Sequence, residues 1–322
     1  MKASLLALPI LSALALAACG DTRRAALLGT GQVPDASEPA TVDAGLDASA
    51  DAPPPQPRRD AGPDAEVAAP AAVCDPAKGW GTAVELALPG SEPKTLDAVS
   101  GDEYTVAWST GDGAVRVADR TTIPGAFAAA QVLSSVFASG ERVALGADGR
   151  ALYGVRPDGR GLLVLTRPNR DEAFAPGDGS VVANLQGELD AMASDERVAD
   201  LVVGSSDTAL LFRRVGGTSP GLRVALRVMP GDAWSASQPF AVQTELSMVG
   251  ARARRPTGLS ADRRALYFLD ESSGTSRVAY FGYDAPTAST FLDTVAQENA
   301  QPSRDCATLY FSIAGKVFAA PR

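Results

Sequence analysis

The chain predicts an all-β fold: a single β-propeller of about five four-stranded blades, closed by an N-terminal strand that completes the C-terminal blade. Three observations carry this reading. A short motif recurs five times, a second marker keeps a similar period independently, and the composition is dense in turn formers. With 31 Gly, 23 Pro and 19 aromatics (3 Trp, 6 Tyr, 10 Phe) in 322 residues, many short strands suit the chain better than long helices.

The motif is a small residue, any residue, Asp, three residues, then two apolar or aromatic residues. It reads Ser100-x-Asp102 with Val106-Ala107, Gly146-x-Asp148 with Leu152-Tyr153, and Ser205-x-Asp207 with Leu211-Phe212. Ser260-x-Asp262 with Leu266-Tyr267 and Ser303-x-Asp305 with Leu309-Tyr310 complete the set. The aspartates are spaced by 46, 59, 55 and 43 residues. The second marker is an aromatic opening each unit, at Trp80, Phe127, Phe174, Trp234 and Phe291, spaced by 47, 47, 60 and 57.

Within each unit the alternation predicts a strand entering the small residue, a turn holding the Asp, and a strand carrying the apolar pair. A third strand is expected over Ala114 to Ala118, Leu162 to Leu165, Leu222 to Val228, Arg277 to Phe281 and Lys316 to Ala319. The fourth is expected after each aromatic, as at Val181 to Leu185 or Ala241 to Leu246. The last unit ends before its fourth strand, while Ala83 to Leu88 stands unpaired at the front. Joining the two leaves no long open edge, which a sheet protein needs to avoid edge pairing.

Ser-Ala-Asp-Arg-Arg-Ala-Leu-Tyr-Phe (Ser260 to Phe268) and Ser-Arg-Asp-Cys-Ala-Thr-Leu-Tyr-Phe (Ser303 to Phe311) resemble the Ser-Pro-Asp-Gly-x-x-Leu-Tyr-Phe blade repeat of TolB-like propellers. The resemblance spans about residues 78 to 322 and implies the fold rather than an activity.

Three regions are expected: a signal peptide over 1–18, Cys19 with an Ala/Asp/Pro-rich tether over 19–73, and the propeller over 74–322. Lys2 and the apolar stretch Leu5 to Leu16 read as a secretory signal, too short to span a bilayer. Leu16-Ala17-Ala18-Cys19 resembles the bacterial lipobox, which implies a diacylglyceryl group on Cys19. With Gly20 rather than Asp after Cys19, the same resemblance favours the outer membrane of a bacterial envelope, facing either the periplasm or the exterior. Residues 20–73 hold nine acids and four Arg and show no apolar period after Leu27-Leu28, so they are expected to remain disordered. Such a chain spans roughly 40 Å as a flexible coil.

The chain has no His, which excludes imidazole-dependent triads and His-ligated zinc, and no cofactor or metal is expected. At net −9 it also lacks the footprint of a nucleic-acid binder. Setting Cys19 aside leaves Cys74 and Cys306, an even pair in an oxidising compartment, and a disulfide between them would lock the closing blade. Asp102, Asp148, Asp207, Asp262 and Asp305 invite a carboxylate-catalysis reading. An Asp repeated in every blade instead behaves as a turn former that accepts from backbone N–H two residues on. Arg252, Arg254, Arg255, Arg263 and Arg264 form the dense basic cluster and are candidates for holding an anion. These features point to a non-catalytic, lipid-anchored envelope propeller offering a binding surface to a protein or envelope polymer. The alternative is a carboxylate-dependent hydrolase, glycosidase- or lactonase-like.

Overall fold

The computed structural model describes residues 74, 79–217, 220–240, 254–270, 275–281, 286–291 and 298–322. The expected signal peptide, Cys19 and the tether lie outside the described residues, as do Ala241 to Leu246 and Arg252. The chain divides between Pro63 and Asp64, and every described residue belongs to the second part.

Short runs of β-branched and aromatic residues between Gly- and Asp-bearing turns fold as antiparallel strands. Among the described residues they form five four-stranded sheets. The first blade holds β2 (Lys94–Val99), β3 (Thr105–Thr110), β4 (Val115–Asp119) and β5 (Gln131–Leu133). The second holds β6 (Ala144–Leu145), β7 (Ala151–Val155), β8 (Leu162–Thr166) and β9 (Ser180–Val181). The third holds β10 (Arg197–Val203), β11 (Ala209–Val215), β12 (Gly221–Leu226) and β13 (Gln238–Pro239). The fourth holds β14 (Arg254–Leu259), β15 (Ala265–Asp270), β16 (Thr275–Phe281) and β17 (Pro286–Phe291). The fifth combines β18 (Glu298–Pro302), β19 (Thr308–Ile313) and β20 (Lys316–Pro321) with β1 (Val84–Glu85), so the N-terminal strand completes the C-terminal blade. Its register sets Val84 against Ala319 and Glu85 against Phe318.

The apolar core lies between blades. Leu96, Val106 and Trp108 of the first blade pack with Tyr310 and Val317 of the fifth, and Tyr267 of the fourth packs with Leu309 and Phe311 of the fifth. Across the ring seam, the Gln301 side chain accepts from Val99 N–H at 3.1 Å and donates to Val99 O at 2.9 Å, while Ser312 Oγ accepts from Leu96 N–H at 2.7 Å. Buried backbone groups of one blade are thus satisfied by side chains of the next.

One expected strand and one marker differ. Val181 to Leu185 is not a strand: β9 ends at Val181 and helix α1 (Ala183–Asp190) follows, burying Leu185 and Leu189 between the second and third blades. The residues Ala183 to Asp190 include Leu, Gln and Glu, which favour helix over strand. The aromatic marker also has a different position: Phe127, Trp234 and Trp80 each precede the outer strand of a blade by four residues, and Phe174 precedes β9 by six. Phe291 instead ends β17, paired with Arg277, so the fifth marker is not equivalent to the others.

Each of those four aromatics lies beneath an arginine that follows the third strand. The guanidinium sits 4.9 Å from the ring centre for Arg120 over Phe127, 4.6 Å for Arg167 over Phe174, 4.2 Å for Arg227 over Trp234 and 4.2 Å for Arg322 over Trp80. In three of them Nε also donates to a turn carbonyl of the same blade: Glu103 at 2.8 Å, Gly149 at 3.1 Å and Asp207 at 2.7 Å. Arg167 adds a bidentate pair with Asp119, at 2.7 and 2.6 Å.

Replacing Arg167 by Ala is expected to lower the unfolding free energy by at least about 2 kcal/mol, because turn carbonyls and Asp119 lose their donor. Arg150→Ala, at an exposed ion pair with Asp148, should cost less than about 1 kcal/mol. Urea denaturation of the two variants side by side checks both values.

Candidate functional site

Five hydrogen bonds define the true register of the repeat. Ser100 N donates to Thr105 O, Gly146 N to Ala151 O, Gly204 N to Ala209 O, Ser260 N to Ala265 O and Ser303 N to Thr308 O, all at 2.8–2.9 Å. The small residue of the third copy is therefore Gly204, not Ser205, and the place of the aspartate belongs to Ser206. Ser205-x-Asp207 matched the pattern one residue out of step.

Asp102, Asp262 and Asp305 do hold turns. Each accepts from its own Ser hydroxyl, at 2.7, 2.5 and 2.7 Å. Each also accepts from the N–H two residues on, at 3.2, 3.1 and 2.9 Å. Asp148, with Gly146 in place of Ser, accepts from Arg150 N–H at 3.0 Å. Asp207 sits instead at the left-handed turn position, with φ 57°, where the other blades place Glu103, Gly149, Arg263 and Cys306. It is 4% exposed and paired with Arg227 at 2.5 Å. Burial pushes its carboxyl up to about 6 despite the Arg227 charge.

The same turns close one mouth of the ring. A Cβ on Gly101 would meet Ser205 O at 2.1 Å, and Ser205 Oγ donates across to Pro302 O at 3.0 Å. Residues of the first, third and fifth blades therefore converge on the axis, and only Gly fits at 101.

Deeper on the axis, the inner strands carry register shifts at Leu96/Ala98, Ala199/Val202, Pro256/Gly258 and Glu298/Gln301. Such irregularities re-aim side chains, and beside them lie buried polar residues, among them Asp97, Asp200 and Thr257. The Arg142 guanidinium, 4% exposed as a residue, donates to Asp97 O at 2.5 Å, Pro256 O at 3.1 Å and Thr257 O at 3.2 Å, joining the first, second and fourth blades. Asp200 is held between Arg213 and Arg255, each at 2.5 Å, and its N–H donates to Glu141 at 3.2 Å. Asp97 accepts from Ser109 Oγ. Burial pushes Asp97 up to about 7 against the opposing charge of Arg142, raises Glu141, and lowers Arg142 to about 10. None of these acids stands out in the sequence, where an isolated Asp or Glu carries no repeat signal.

Among the described residues of the expected basic cluster, Arg254, Arg255, Arg263 and Arg264 are not brought together at one place. Arg255 faces Asp200 at the axis, Arg254 opens β14 opposite Asp270, and Arg263 and Arg264 lie in the turn beyond the far end of that strand. An extended strand separates its two ends, so neighbours in sequence diverge in space.

Cys74 and Cys306 are joined as a disulfide, with Cα atoms 5.4 Å apart across 232 residues of sequence. Cys74 N–H also donates to Asp262 at 3.4 Å, so this residue ties the turns of the fourth and fifth blades.

On the face that carries these turns, a cleft of about 500 Å³ opens between the second and third blades. Asp148, Arg150, Tyr153, Asp207, Arg227 and Trp234 line it. Tyr153 and Trp234 meet edge to face at 6.1 Å, and burial raises the Tyr153 hydroxyl to about 12. Among the described residues no cluster of His, Cys, Asp and Glu is arranged to hold a metal ion.

No family model matches the chain, and no curated protein matches it. Similar solved structures are propellers or contain them. TolB from Acinetobacter baumannii is 14% identical with a TM-score of 0.43, covering 73% of this chain and 56% of its own. A nidogen/laminin complex is 14% identical at 0.41, covering 69% and 72%. A gluconolactonase from Xanthomonas campestris is 13% identical at 0.37, covering 76% and 99%. The chain spans little more than half of that TolB, and likenesses this distant say nothing of activity; the propeller rests on its own sheet topology.

Asp97 holds its proton in the folded chain at pH values where the unfolded chain, with an ordinary carboxyl near 3.8, has lost it. Its contribution to stability therefore falls as pH rises from about 4 to 7. Asp97→Asn should flatten that slope and raise the melting temperature at pH 8, as read by thermal melts across the range.

Proposed function

We propose that the protein is a non-catalytic, lipid-anchored propeller of the bacterial envelope, held at the outer membrane by a lipidated Cys19 and presenting the ring to a protein or envelope polymer. The observation that carries this is the internal use of the acids: Asp97, Asp200, Asp102, Asp262 and Asp305 bond to groups of the ring itself. Charged groups bonded inside a ring maintain its shape, while the loops and turns are left to meet a partner.

A second reading, a glycosidase- or lactonase-like hydrolase, is favoured by one feature: Asp148 and Asp207 line a common cleft, and Asp207 is raised toward the range of a general acid. Hydrolysis of aryl glycosides or lactones that disappears in Asp207→Asn would establish it in place of the binding reading.

For the anchor, Cys19→Ala should move the protein from the membrane to the soluble fraction or leave it unprocessed. Normal processing with full membrane retention would remove the lipid anchor. Crosslinking in intact cells, followed by purification, should recover one predominant partner.

A further inference from the structure

The junctions between blades repeat, and one of them lacks a side chain that its neighbour has. In the second blade the loop from Arg167 to Phe174 spans seven positions, as does the loop from Arg227 to Trp234 in the third. The two loops share two bonds. Arg167 Nη1 donates to Glu172 O and Arg227 Nη1 to Asp232 O, both at 3.2 Å. Glu172 N returns to Asn169 O at 3.3 Å and Asp232 N to Met229 O at 3.1 Å. Arg170 and Pro230 are therefore equivalent positions.

Arg170 reaches back to the first blade. Its guanidinium lies 4.8 Å from the centre of the Tyr104 ring, its Nη2 pairs with the Asp102 carboxylate, and its Nε donates to Asp148 O at 2.9 Å. The junction between the first and second blades is thus filled by a guanidinium held between a carboxylate, an aromatic face and a turn carbonyl. At the next junction Pro230 has no group to extend, and the cleft of about 500 Å³ lies there.

One receiving group remains: Asp148 stands where Asp102 stands one blade earlier. Arg150 takes the place of Tyr104, and Tyr153 and Trp234, both largely buried, line the cleft. Asp207 lines the same cleft, 4% exposed, with Oδ2 paired with Arg227; its carboxylate also takes a backbone contact from Ala147 N–H, while Oδ1 makes no hydrogen bond of good geometry. A buried carboxylate oxygen so poorly provided can take a further donor. The Arg150 side chain pairs with Asp148, but both are about half exposed, and a pair of that kind is weak enough to exchange for a better-held cation.

We propose that this cleft is a guanidinium-binding site that takes an arginine side chain of a polypeptide partner, in the way that Arg170 fills the preceding junction from within. The proposal deepens the binding reading above and stands apart from the identity of any crosslinked partner. Planar N–H donors suit two carboxylates and an aromatic surface, whereas an ammonium offers no second edge. Free arginine carries the same group as a peptide, and only the peptide gains from contacts along the rim.

The test uses the full-length chain and calorimetric or NMR titration with arginine amide, citrulline amide and an arginine-centred pentapeptide. Arginine amide should bind saturably, citrulline amide at least 10-fold more weakly, and the pentapeptide more tightly than arginine amide. Pro230→Arg should supply the missing plug and weaken arginine amide at least 10-fold, with an unchanged circular dichroism spectrum. If that variant fails to fold, Asp148→Asn, on the exposed rim, should still weaken binding several-fold. Equal binding of citrulline and arginine amides, or undiminished binding by folded Pro230→Arg or by Asp148→Asn, would overturn the site. Equal affinity for the pentapeptide and arginine amide would overturn the polypeptide source. Absence of saturable arginine binding by the unsubstituted chain, with a partner still crosslinked, would overturn this inference and leave the envelope-binding reading in place.

Discussion

A guanidinium taken out of water must be given donors' worth of acceptors, and that requirement organises this ring. In four blades an arginine leaves the third strand, covers the aromatic that precedes the outer strand, and in three of these reaches a turn carbonyl with Nε. Stacking and hydrogen bonding act on one planar group, so the loop, the turn and the interblade core are set together. The fifth blade keeps the stack although its parts come from opposite ends of the described chain, Arg322 and Trp80. Ring closure thus reproduces the device used within a blade, and the Cys74–Cys306 bond adds a covalent tie at the same seam.

The axis follows a different rule. Turns that converge on a shared centre leave room for only small residues, and Gly101 against the Ser205 carbonyl is the tightest example. Below them, irregular inner strands direct polar side chains toward a centre where five sheets cannot all hydrogen-bond to one another. Arg142 resolves this by donating to three carbonyls on two blades, and Asp200 by lying between two arginines. These acids and bases thus serve mainly to satisfy one another, and buried pairs of this kind specify an arrangement more than they stabilise it.

Departures from the repeat are where the ring acquires individual features. The one-residue offset in the third blade places Ser206 in the turn and sends Asp207 into the left-handed position, where it turns toward Arg227 and the cleft. Pro230 in place of an arginine leaves that cleft open. The helix after β9 walls the same junction with Leu185 and Leu189.

Local pattern was sufficient for the blades, because a Ser whose hydroxyl bonds an Asp two residues on needs only neighbouring residues to form its turn, as at Ser260–Asp262 and Ser303–Asp305. The pairing of the first strand with the last was legible for a related reason: an unpaired strand and an incomplete sheet have a single way to satisfy each other's backbone. The seven-residue spacing of Arg120/Phe127, Arg167/Phe174 and Arg227/Trp234 was also present in the chain, although arginine within a loop reads as solvated until its ring is seen beneath it. Other features depended on tertiary structure alone. The true register at Gly204 appears only through hydrogen bonding, since Ser205-x-Asp207 satisfies the same pattern in sequence. Asp97, the adjacent Glu141 and Arg142, and Asp200 come from three places tens of residues apart and meet because separate blades bring them to one axis, and the separation of Arg255 from Arg263 follows from the length of β14. Sequence determines what a residue can bond to nearby, whereas burial, charge pairing and open space are set by which distant strands come to face one another.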